Sequence, residues 1–369
     1  MKIDIKLAAP TGKAAKRMEE ATGEEARTIH RLLEYRPGYG FQRCFDNPLE
    51  CDVLIVDETS MIDIVLMQAL MGAIDPQETQ IIFVGDVDQL PSVGPGAVLK
   101  DMIDSGKVPT SYLRELHRQT ESSMINLNAQ RINRGEPLEL SGEDDTDFFL
   151  ILESDKEKIP GLIETVCRKL NTKFGFDLND IQVLAPQKVG DIGTRNLNRK
   201  LQGLFNPGAG QLIGQSGLRI GDRVIQTRNN YDLSVFNGDV GRVVDCDSYG
   251  SPTEINIVFD DDRMIAYGPE QTVDLQLAYA LTIHKSQGSE FPAVVIPVHT
   301  TNYIMLKRNL LYTGITRGKD MVVLIGTMKA INLAIRTVDT STRYTMLADR
   351  INSFPGLSSR GMTNGIINL

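Results

Sequence analysis

The chain has 369 residues, of which 41% are hydrophobic and 24% are charged. These values are typical of a soluble globular protein with two or three domains, and no apolar run is long enough to span a bilayer. The net charge of −9 excludes a protein that is basic over its whole surface. It leaves room for a local basic channel, because phosphate binding depends on local lysines and arginines.

The four cysteines are far apart in the sequence. This spacing predicts reduced thiols, without a zinc site or a disulfide framework. The first residues, 1–9, do not have the layout of a secretory signal. We therefore expect a cytoplasmic protein that has no membrane partner.

Apolar runs alternate with helical patterns in the first third of the chain. Residues 5–9 precede a lysine-rich helical pattern near 12–21, residues 53–56 precede one near 63–74, and residues 81–84 precede a Gly/Pro-rich loop and one from about Gly96. This alternation predicts a mainly parallel sheet covered by helices on both faces.

The second half repeats this pattern around a different kind of segment. Apolar strands are predicted at 181–184, 293–298 and 321–325. Between about 195 and 265, short β-rich runs are separated by turn signals such as Asn237-Gly238, which predicts a small antiparallel barrel or sheet inserted into a second α/β domain. The residues after Ser353 are predicted to be loose.

Two acidic residues follow an apolar strand directly, at Asp57 and Glu58. Ligands of open α/β sheets bind at the carboxyl ends of the strands. An aspartate there can hold the magnesium of a nucleotide, and a glutamate can orient or deprotonate the attacking water. The alternative is that both acids only cap the next helix.

The next strand also ends in a polar loop, which begins at Gly85-Asp86 and contains Gln89. A glutamine there can contact a terminal phosphate or position a water molecule. A glycine turn with surface polar residues is the alternative. Two such loops after consecutive strands favour a nucleotide site over capping.

Five segments in order resemble the motifs of the RecD-like branch of superfamily 1B helicases. Asp57–Ser60 resembles motif II, and Gly85–Gly96 motif III. The later motifs, IV, V and VI, are matched by 116–119, 280–291 and 311–319. The order and spacing match across nearly the whole chain, and five ordered matches make coincidence very improbable.

The resemblance implies roles in binding ATP and Mg²⁺. The implied catalytic residues are Asp57 as the magnesium ligand, Glu58 as the catalytic glutamate, and Gln89, Arg118 and Arg317 as contacts of the γ-phosphate. The implied nucleotide-binding residues are Asp86, Gly288 and Glu290, with Glu290 at the sugar. Arginine suits such a contact because it stays charged and forks onto phosphate oxygens. For either arginine alone, a surface salt bridge is the alternative.

The resemblance also implies three loops that contact single-stranded DNA. They contain Pro10, Thr11 and Lys13 in motif Ia, His30 and Arg31 in motif Ib, and Thr282, His284 and Lys285 in motif V. For Lys13 a solvated helix face is an equally good interpretation, and a lone histidine is usually a surface or core residue.

The implied fold class is α/β. It has two RecA-like parallel-sheet domains of the P-loop NTPase type, the first one truncated, and an inserted SH3-like β-barrel. The expected boundaries are 1–109 for the first domain, with a wedge hairpin near 34–48; 110–194 and 268–352 for the second; 195–267 for the insert; and 353–369 for the tail.

One departure from the family pattern concerns the phosphate-binding loop. The segment Ala9–Ala14 contains Gly12-Lys13, but Leu7 and Ala14 stand where a P-loop has glycine and serine or threonine. In the family the true loop lies before motif Ia. We therefore expect this polypeptide alone to bind ATP weakly and not to turn it over.

The leading interpretation is an ATP-dependent helicase motor core that moves 5′ to 3′ on DNA and acts at duplex junctions, alone or in a recombination and repair nuclease complex. Two alternatives stay open: a nucleotide-independent single-strand-binding or scaffold protein, and an RNA helicase of superfamily 1. No nuclease constellation of clustered acids and a lysine is found in the sequence.

Overall fold

Apolar strands alternate with helices along the chain, as the sequence pattern predicts. A computed structural model describes residues 3–113, 123–142, 146–207, 217–230, 232–247, 254–338, 343, 345–354 and 365–368. The strands are β1 (Ile5–Ala9), β2 (Ala26–Thr28), β3 (Val53–Val56), β4 (Gln80–Gly85), β5 (Thr110–Tyr112), β6 (Phe148–Leu152), β7 (Ile181–Ala185), β8 (Arg223–Gln226), β9 (Val240–Asp247), β10 (Glu254–Phe259), β11 (Met264–Tyr267), β12 (Leu275–Leu277), β13 (Ala280–Thr282), β14 (Phe291–Val298), β15 (Gly318–Gly326) and β16 (Gly365–Asn368).

The α-helices of the described residues are α1 (Gly12–Thr22), α2 (Ile29–Leu32), α3 (Ile64–Gly72), α4 (Val98–Asp104), α5 (Met124–Arg134), α6 (Ile159–Thr172), α7 (Thr194–Phe205), α8 (Arg308–Ile315), α9 (Met328–Arg336) and α10 (Leu347–Ser353). None of these helices combines the length and the apolar character that crossing a bilayer requires. The four cysteines form no disulfide.

The chain divides into two compact units, and the first comprises residues 1–118 and 340–369. Its sheet is parallel, with strand order β2-β1-β3-β4-β16-β5. Residues on β3 and β4 alternate between buried and half-buried positions, because successive side chains point to opposite faces. Leu54, Val56, Ile81 and Phe83 form one core with residues of α3 and α4.

The C-terminal segment differs from its prediction. The residues after Ser353 were expected to be loose, yet β16 lies in the first sheet and pairs with both β4 and β5. The residues 340–352 and β5, both expected in the second domain, also belong to the first unit. Pairing across such a long sequence separation leaves no local pattern in the sequence.

The second unit comprises residues 119–339 and contains a parallel sheet of order β13-β7-β14-β15-β6. Every residue of β7 is buried, which fits a parallel strand covered on both faces. Ala293 and Val295 of β14 pack in the core that includes α6 and α7. Ile296, which points to the other face, lies close to Gly314 of α8.

An antiparallel sheet of order β11-β10-β9-β8-β12 also lies in this unit and has its own small core. It agrees with the predicted inserted β domain. The expected boundaries, 195–267, differ from the observed ones at both ends. Helix α7 packs in the core of the parallel sheet, and β12 extends the antiparallel sheet to Leu277.

The buried carboxylate of Asp222 joins the antiparallel sheet to the parallel one. It accepts hydrogen bonds from Gln202 Nε2 at 2.6 Å, Asn206 Nδ2 at 2.8 Å, the Arg219 amide at 2.7 Å and the Tyr279 hydroxyl at 2.8 Å. A buried charge is tolerated only when such donors surround it. Since Gln202 and Asn206 flank the end of α7, and Tyr279 directly precedes β13, this joint lies next to motif V.

We expect Asp222→Ala to lower the free energy of unfolding by about 2 to 3 kcal/mol, because it leaves buried donors without an acceptor. Urea unfolding of the variant measures this loss. Asp232→Ala, at an exposed position of the same unit, is the matched control and should change the value by less than about 0.5 kcal/mol. Equal effects of the two variants would contradict the structural role of Asp222.

Candidate functional site

The predicted nucleotide and DNA residues of the first unit lie along one edge of its sheet. The strands are parallel, so their carboxyl ends meet at the same edge. The segment after β2 contains His30 and Arg31, and the segment after the neighbouring β1 contains Pro10, Thr11 and Lys13. The next strands in the sheet are β3, which is followed by Asp57 and Glu58, and β4, which is followed by Asp86 and Gln89. The fold therefore brings the predicted nucleotide residues next to the predicted DNA residues.

Asp57 and Glu58 follow β3 in a tightly bonded turn. The Asp57 amide donates to the Ala8 carbonyl at 2.9 Å, and its Oδ1 accepts from the Glu58 amide at 2.7 Å. Glu58 has a φ of +50°, in the left-handed region that non-glycine residues rarely adopt. Such strain is concentrated at functional sites, so the backbone here is consistent with a catalytic position.

The loops that follow β3 and β4 approach each other closely at Gly85. A Cβ atom at this position would lie 3.1 Å from the Thr59 amide nitrogen and 3.2 Å from that of Ser60. A side chain at Gly85 would push the two loops apart. Glycine is therefore what allows motif II and motif III to form one continuous surface.

Asp86 organises the loop that carries Gln89. The Asp86 carboxylate is almost fully buried and accepts from the Asp88 amide at 2.9 Å and from Gln89 Nε2 at 3.2 Å. Its predicted contact with the nucleotide is thus accompanied by a local role. The carboxylate holds the Gln89 side chain within the turn.

The acidic residue after β3 fits a magnesium ion that is shared with a nucleotide. Carboxylate oxygens are ligands that Mg²⁺ prefers, and in nucleotide sites it takes only one or two of them, together with phosphates and waters. Within the described residues there is no cluster of three or more metal-ligating side chains. The role of Asp57 as a magnesium ligand stays a prediction.

The three predicted DNA loops share one local structure, in which a threonine at the end of a strand or shortly after it caps a helical turn. The Thr11 hydroxyl accepts from the Ala14 amide at 3.2 Å, and the Thr28 hydroxyl accepts from the Arg31 amide at 3.2 Å. The Thr282 hydroxyl accepts from the Lys285 amide at 3.4 Å. Threonine is a common N-cap for this reason. The hydroxyls thus stabilise the turns that present the neighbouring amides and basic side chains.

His30 lies in an aromatic cluster. Its ring centroid is 5.7 Å from that of Tyr35 and 5.5 Å from that of Phe41. Burial lowers the pKa of His30 below its ordinary value, against the opposing charge of Asp63. The lowered pKa favours the neutral imidazole, which packs in the aromatic cluster, and the DNA contact of His30 stays a prediction.

The predicted hairpin contains two consecutive tight turns. One is closed by a bridge between Arg36 and Gly40, and the next by a bridge between Cys44 and Asn47. Tyr39 and Phe45, within these turns, are 84% and 87% exposed. The His30 cluster lies at the base of this hairpin and connects it to motif Ib.

The loop of motif V begins at the carboxyl edge of the second sheet. Thr282 ends β13 and is in register with Ala185, the last residue of the neighbouring β7. Burial lowers the pKa of His284 and of Lys285; the Lys307 charge lowers that of His284 further, and the Lys188 charge that of Lys285.

Lys188, His284, Lys285 and Lys307 therefore form a basic cluster on the loops that follow three adjacent strands. Sequence reasoning missed Lys188 and Lys307. The signal that could have found them is their position shortly after predicted strands of the same sheet. Repulsion among the lysine charges provides a reason for the cluster to bind an anion.

The nucleotide candidates of the second unit lie together at the opposite, amino edge of its sheet. The Phe291 amide, at the start of β14, donates to the Arg317 carbonyl at 2.8 Å, and Arg317 Nη1 donates to the Ser289 carbonyl at 3.3 Å. Glu290 Oε2 lies 3.6 Å from Lys319 Nζ. Gly288, with a φ of +71°, directly precedes this group. Arg118 lies outside the described residues.

The fold is that of a protein with two RecA-like α/β sheets and an SH3-like insert. Three family models match the chain: "AAA domain" at residues 1–95, "ATP-dependent RecD-like DNA helicase SH3 domain" at 197–259, and "UvrD-like helicase C-terminal domain" at 277–325. The solved structure described as "Structural Basis for DNA Unwinding at Forked dsDNA by two coordinating Pif1 helicases" shares this fold. Its TM-score is 0.50 at 18% identity, over 88% of this chain and 82% of the other.

Two relatives match at higher identity. The ATP-dependent RecD2 DNA helicase of Deinococcus radiodurans is 36% identical over 95% of this chain, and the RecBCD enzyme subunit RecD of Mycolicibacterium smegmatis is 32% identical over 90%. The chain is thus similar to RecD-like helicases over at least 90% of its own length. It spans 47% of the length of the first relative and 63% of the second.

We expect acid to destabilise the protein less when His30 is replaced by phenylalanine. A lowered pKa in the folded state means that stability is present above the ordinary histidine pKa and is lost as pH falls through the folded-state value. His30→Phe keeps an aromatic ring in the cluster and removes this titration. Unfolding free energies at pH 7.5 and 5.0 measure the difference. Tyr35→Phe, which keeps the imidazole, is the control, and an unchanged pH dependence in His30→Phe would contradict the assignment.

Proposed function

We propose that this chain is part of the motor core of an ATP-dependent 5′ to 3′ DNA helicase. The observation that carries the proposal is the carboxyl edge of the first sheet, where Asp57, Glu58 and Gln89 lie beside the loops of Thr11 and His30. A motor needs ATP and DNA to act on connected groups. Loops on adjacent parallel strands supply such a connection.

The proposed nucleotide chemistry is assigned to named groups. Asp57 would hold a magnesium ion, which, when bound, offsets charge on the phosphates. Glu58 orients and deprotonates the attacking water, and Gln89 contacts the terminal phosphate. Arg317 brings a permanent positive charge to the phosphoryl group as negative charge spreads over it. Asp86, Gly288 and Glu290 are proposed to contact the rest of the nucleotide.

The proposed DNA path uses backbone phosphates more than bases. The loops of Thr11 and His30 in the first unit, and the basic cluster in the second, offer amides and positive charges to a single strand. Motif V connects the carboxyl edge at Thr282 with the amino edge at Glu290. A displacement of the backbone at one end of this short segment therefore moves the other end, which supports coupling between DNA binding and nucleotide binding.

The sequence contains no Gly-x-x-x-x-Gly-Lys-Ser/Thr stretch. Such a loop cradles the phosphates in this class of motor, so we propose that turnover requires a loop outside these 369 residues. The proposed partners are single-stranded DNA, duplex junctions and, by analogy with the RecD relatives, a recombination and repair nuclease complex. We propose a cytoplasmic location.

The 369-residue chain is expected to release no phosphate from Mg²⁺-ATP above background, with or without single-stranded DNA, because it lacks a phosphate-binding loop. A malachite-green assay of the purified chain measures this release. Turnover that Glu58→Gln abolishes would contradict the expectation. That result would also place the catalytic phosphate contacts within these residues.

In a polypeptide that also carries a phosphate-binding loop, Glu58→Gln should lower the DNA-stimulated kcat by about 10²- to 10⁴-fold, the usual contribution of a general base. Affinity for single-stranded DNA should not change. Glu50→Gln, an exposed acid in the same unit, is the matched control. A Glu58 variant with the kcat of the control would show that the catalytic assignment is wrong.

Lys188→Ala and Lys285→Ala should each weaken the binding of single-stranded DNA several-fold and reduce the salt slope of the affinity by about 0.7, the value for one phosphate contact. Fluorescence anisotropy with a labelled oligothymidine measures both quantities. Lys329→Ala, an exposed lysine on α9, should bind like the unmodified chain. Equal salt slopes for all three variants would exclude the basic cluster from the DNA path.

A further inference from the structure

The loop that carries Gln89 is held on one side by a residue from the C-terminal segment. Arg343 Nη1 lies 2.8 Å from the carbonyl oxygens of both Gly94 and Gly96, and 3.3 Å from Ser92 Oγ. Arg343 is 247 to 251 positions away from these three residues in the sequence. One guanidinium group thus satisfies two backbone carbonyls at the end of motif III.

The same loop is held on its other side by the start of α3. The Ile64 amide donates to the Pro95 carbonyl at 2.9 Å. A Cβ atom at Gly94 would lie 2.0 Å from Asp63 Oδ2, and one at Gly96 would lie 3.0 Å from Ile64 Cβ. The loop is therefore in close contact with the helix that follows motif II on one side, and Arg343 binds it on the other side.

Arg343 is itself positioned by the packing of the C-terminal segment. The Thr345 hydroxyl donates to the Asp101 carboxylate on α4. Leu347 and Ile351 of α10 pack against the core of the first unit, and β16 pairs with β4. The contact of Arg343 is thus one part of a wider docking of this segment.

We propose that Arg343 is a positioning residue for the nucleotide reaction. Its three hydrogen bonds hold residues 92–96, and through them the turn with Asp86 and Gln89, in the geometry that meets a terminal phosphate. This inference rests on the proposed helicase function. Backbone carbonyls at a sharp bend need donors, and Nη1 of the permanently charged guanidinium carries two N–H donors, which the three acceptors share.

Hydrogen–deuterium exchange of the chain tests the contact directly. In Arg343→Ala, the amides of residues 87–97 should exchange at least about tenfold faster, the change expected for losing hydrogen bonds to a charged group. Arg343→Lys should recover part of the protection, because the ammonium keeps a charged nitrogen with N–H donors on a side chain of different length and shape. Arg350→Ala, an exposed arginine of α10, is the matched control and should exchange like the unmodified chain.

A kinetic test separates positioning from a purely structural role. In a polypeptide with a phosphate-binding loop, Arg343→Ala should lower the kcat for ATP about tenfold or more, with affinity for single-stranded DNA unchanged and partial rescue in Arg343→Lys. Unchanged exchange in residues 87–97 of Arg343→Ala would overturn the inference, and so would an unchanged kcat. If Arg343→Ala loses protection throughout the unit, Arg343→Lys decides. Partial protection of residues 87–97 with a partly restored kcat in that variant supports the inference, and loss of protection in residues 87–97 with a normal kcat overturns it.

The two proposals fail in different ways. An unmodified protein that carries a phosphate-binding loop and shows no DNA-stimulated turnover would reject the proposed function. The exchange measurement on Arg343→Ala does not depend on turnover. It therefore still reports whether this residue holds the loop.

Discussion

Parallel pairing of β1, β3 and β4 is the constraint on which the rest of the first unit depends. In a parallel sheet, every strand delivers its following loop to the same edge. The acids after β3, the Gln89 turn after β4 and the threonine-capped loop after β1 therefore become neighbours although they are far apart in sequence. Gly85 then allows two of these loops to approach closely, because a Cβ atom at this position would lie only 3.1 and 3.2 Å from the facing amide nitrogens.

The polar interactions of both units reinforce this arrangement at its loops. Asp86 fixes the turn of Gln89, Arg343 fixes the end of the same loop, and Asp222 joins the antiparallel insert to the strand that leads into motif V. Each is a charged group that makes two or more hydrogen bonds, and hydrogen bonds to a charged group are stronger than neutral ones. The apolar cores determine where the sheets form, while these groups determine how the loops at their edges are held.

Much of the fold could be predicted because its signals are local. Apolar runs such as Val53–Val56 became strands, the helical pattern near 63–74 became α3, and dense turns marked the antiparallel insert. The features that could not be predicted depend on contacts between residues that are far apart in the sequence. The amphipathic pattern of α7 does not reveal which sheet it covers, and neither the pairing of β16 with β4 nor the contact of Arg343 leaves a local pattern. Lys188 and Lys307 join the candidate site only once strand register is known. The role of Arg118 stays a prediction.

Photo-crosslinking tests the central claim, that one edge of the first sheet serves both DNA and nucleotide. A short single strand containing 5-bromouracil would be bound to the chain, irradiated, and the adducts located by mass spectrometry. The account predicts adducts within residues 9–14 and 28–45 of the first unit, close to Asp57. Adducts confined to the opposite edge of that sheet, where β1 and β3 begin at Ile5 and Val53, would contradict it.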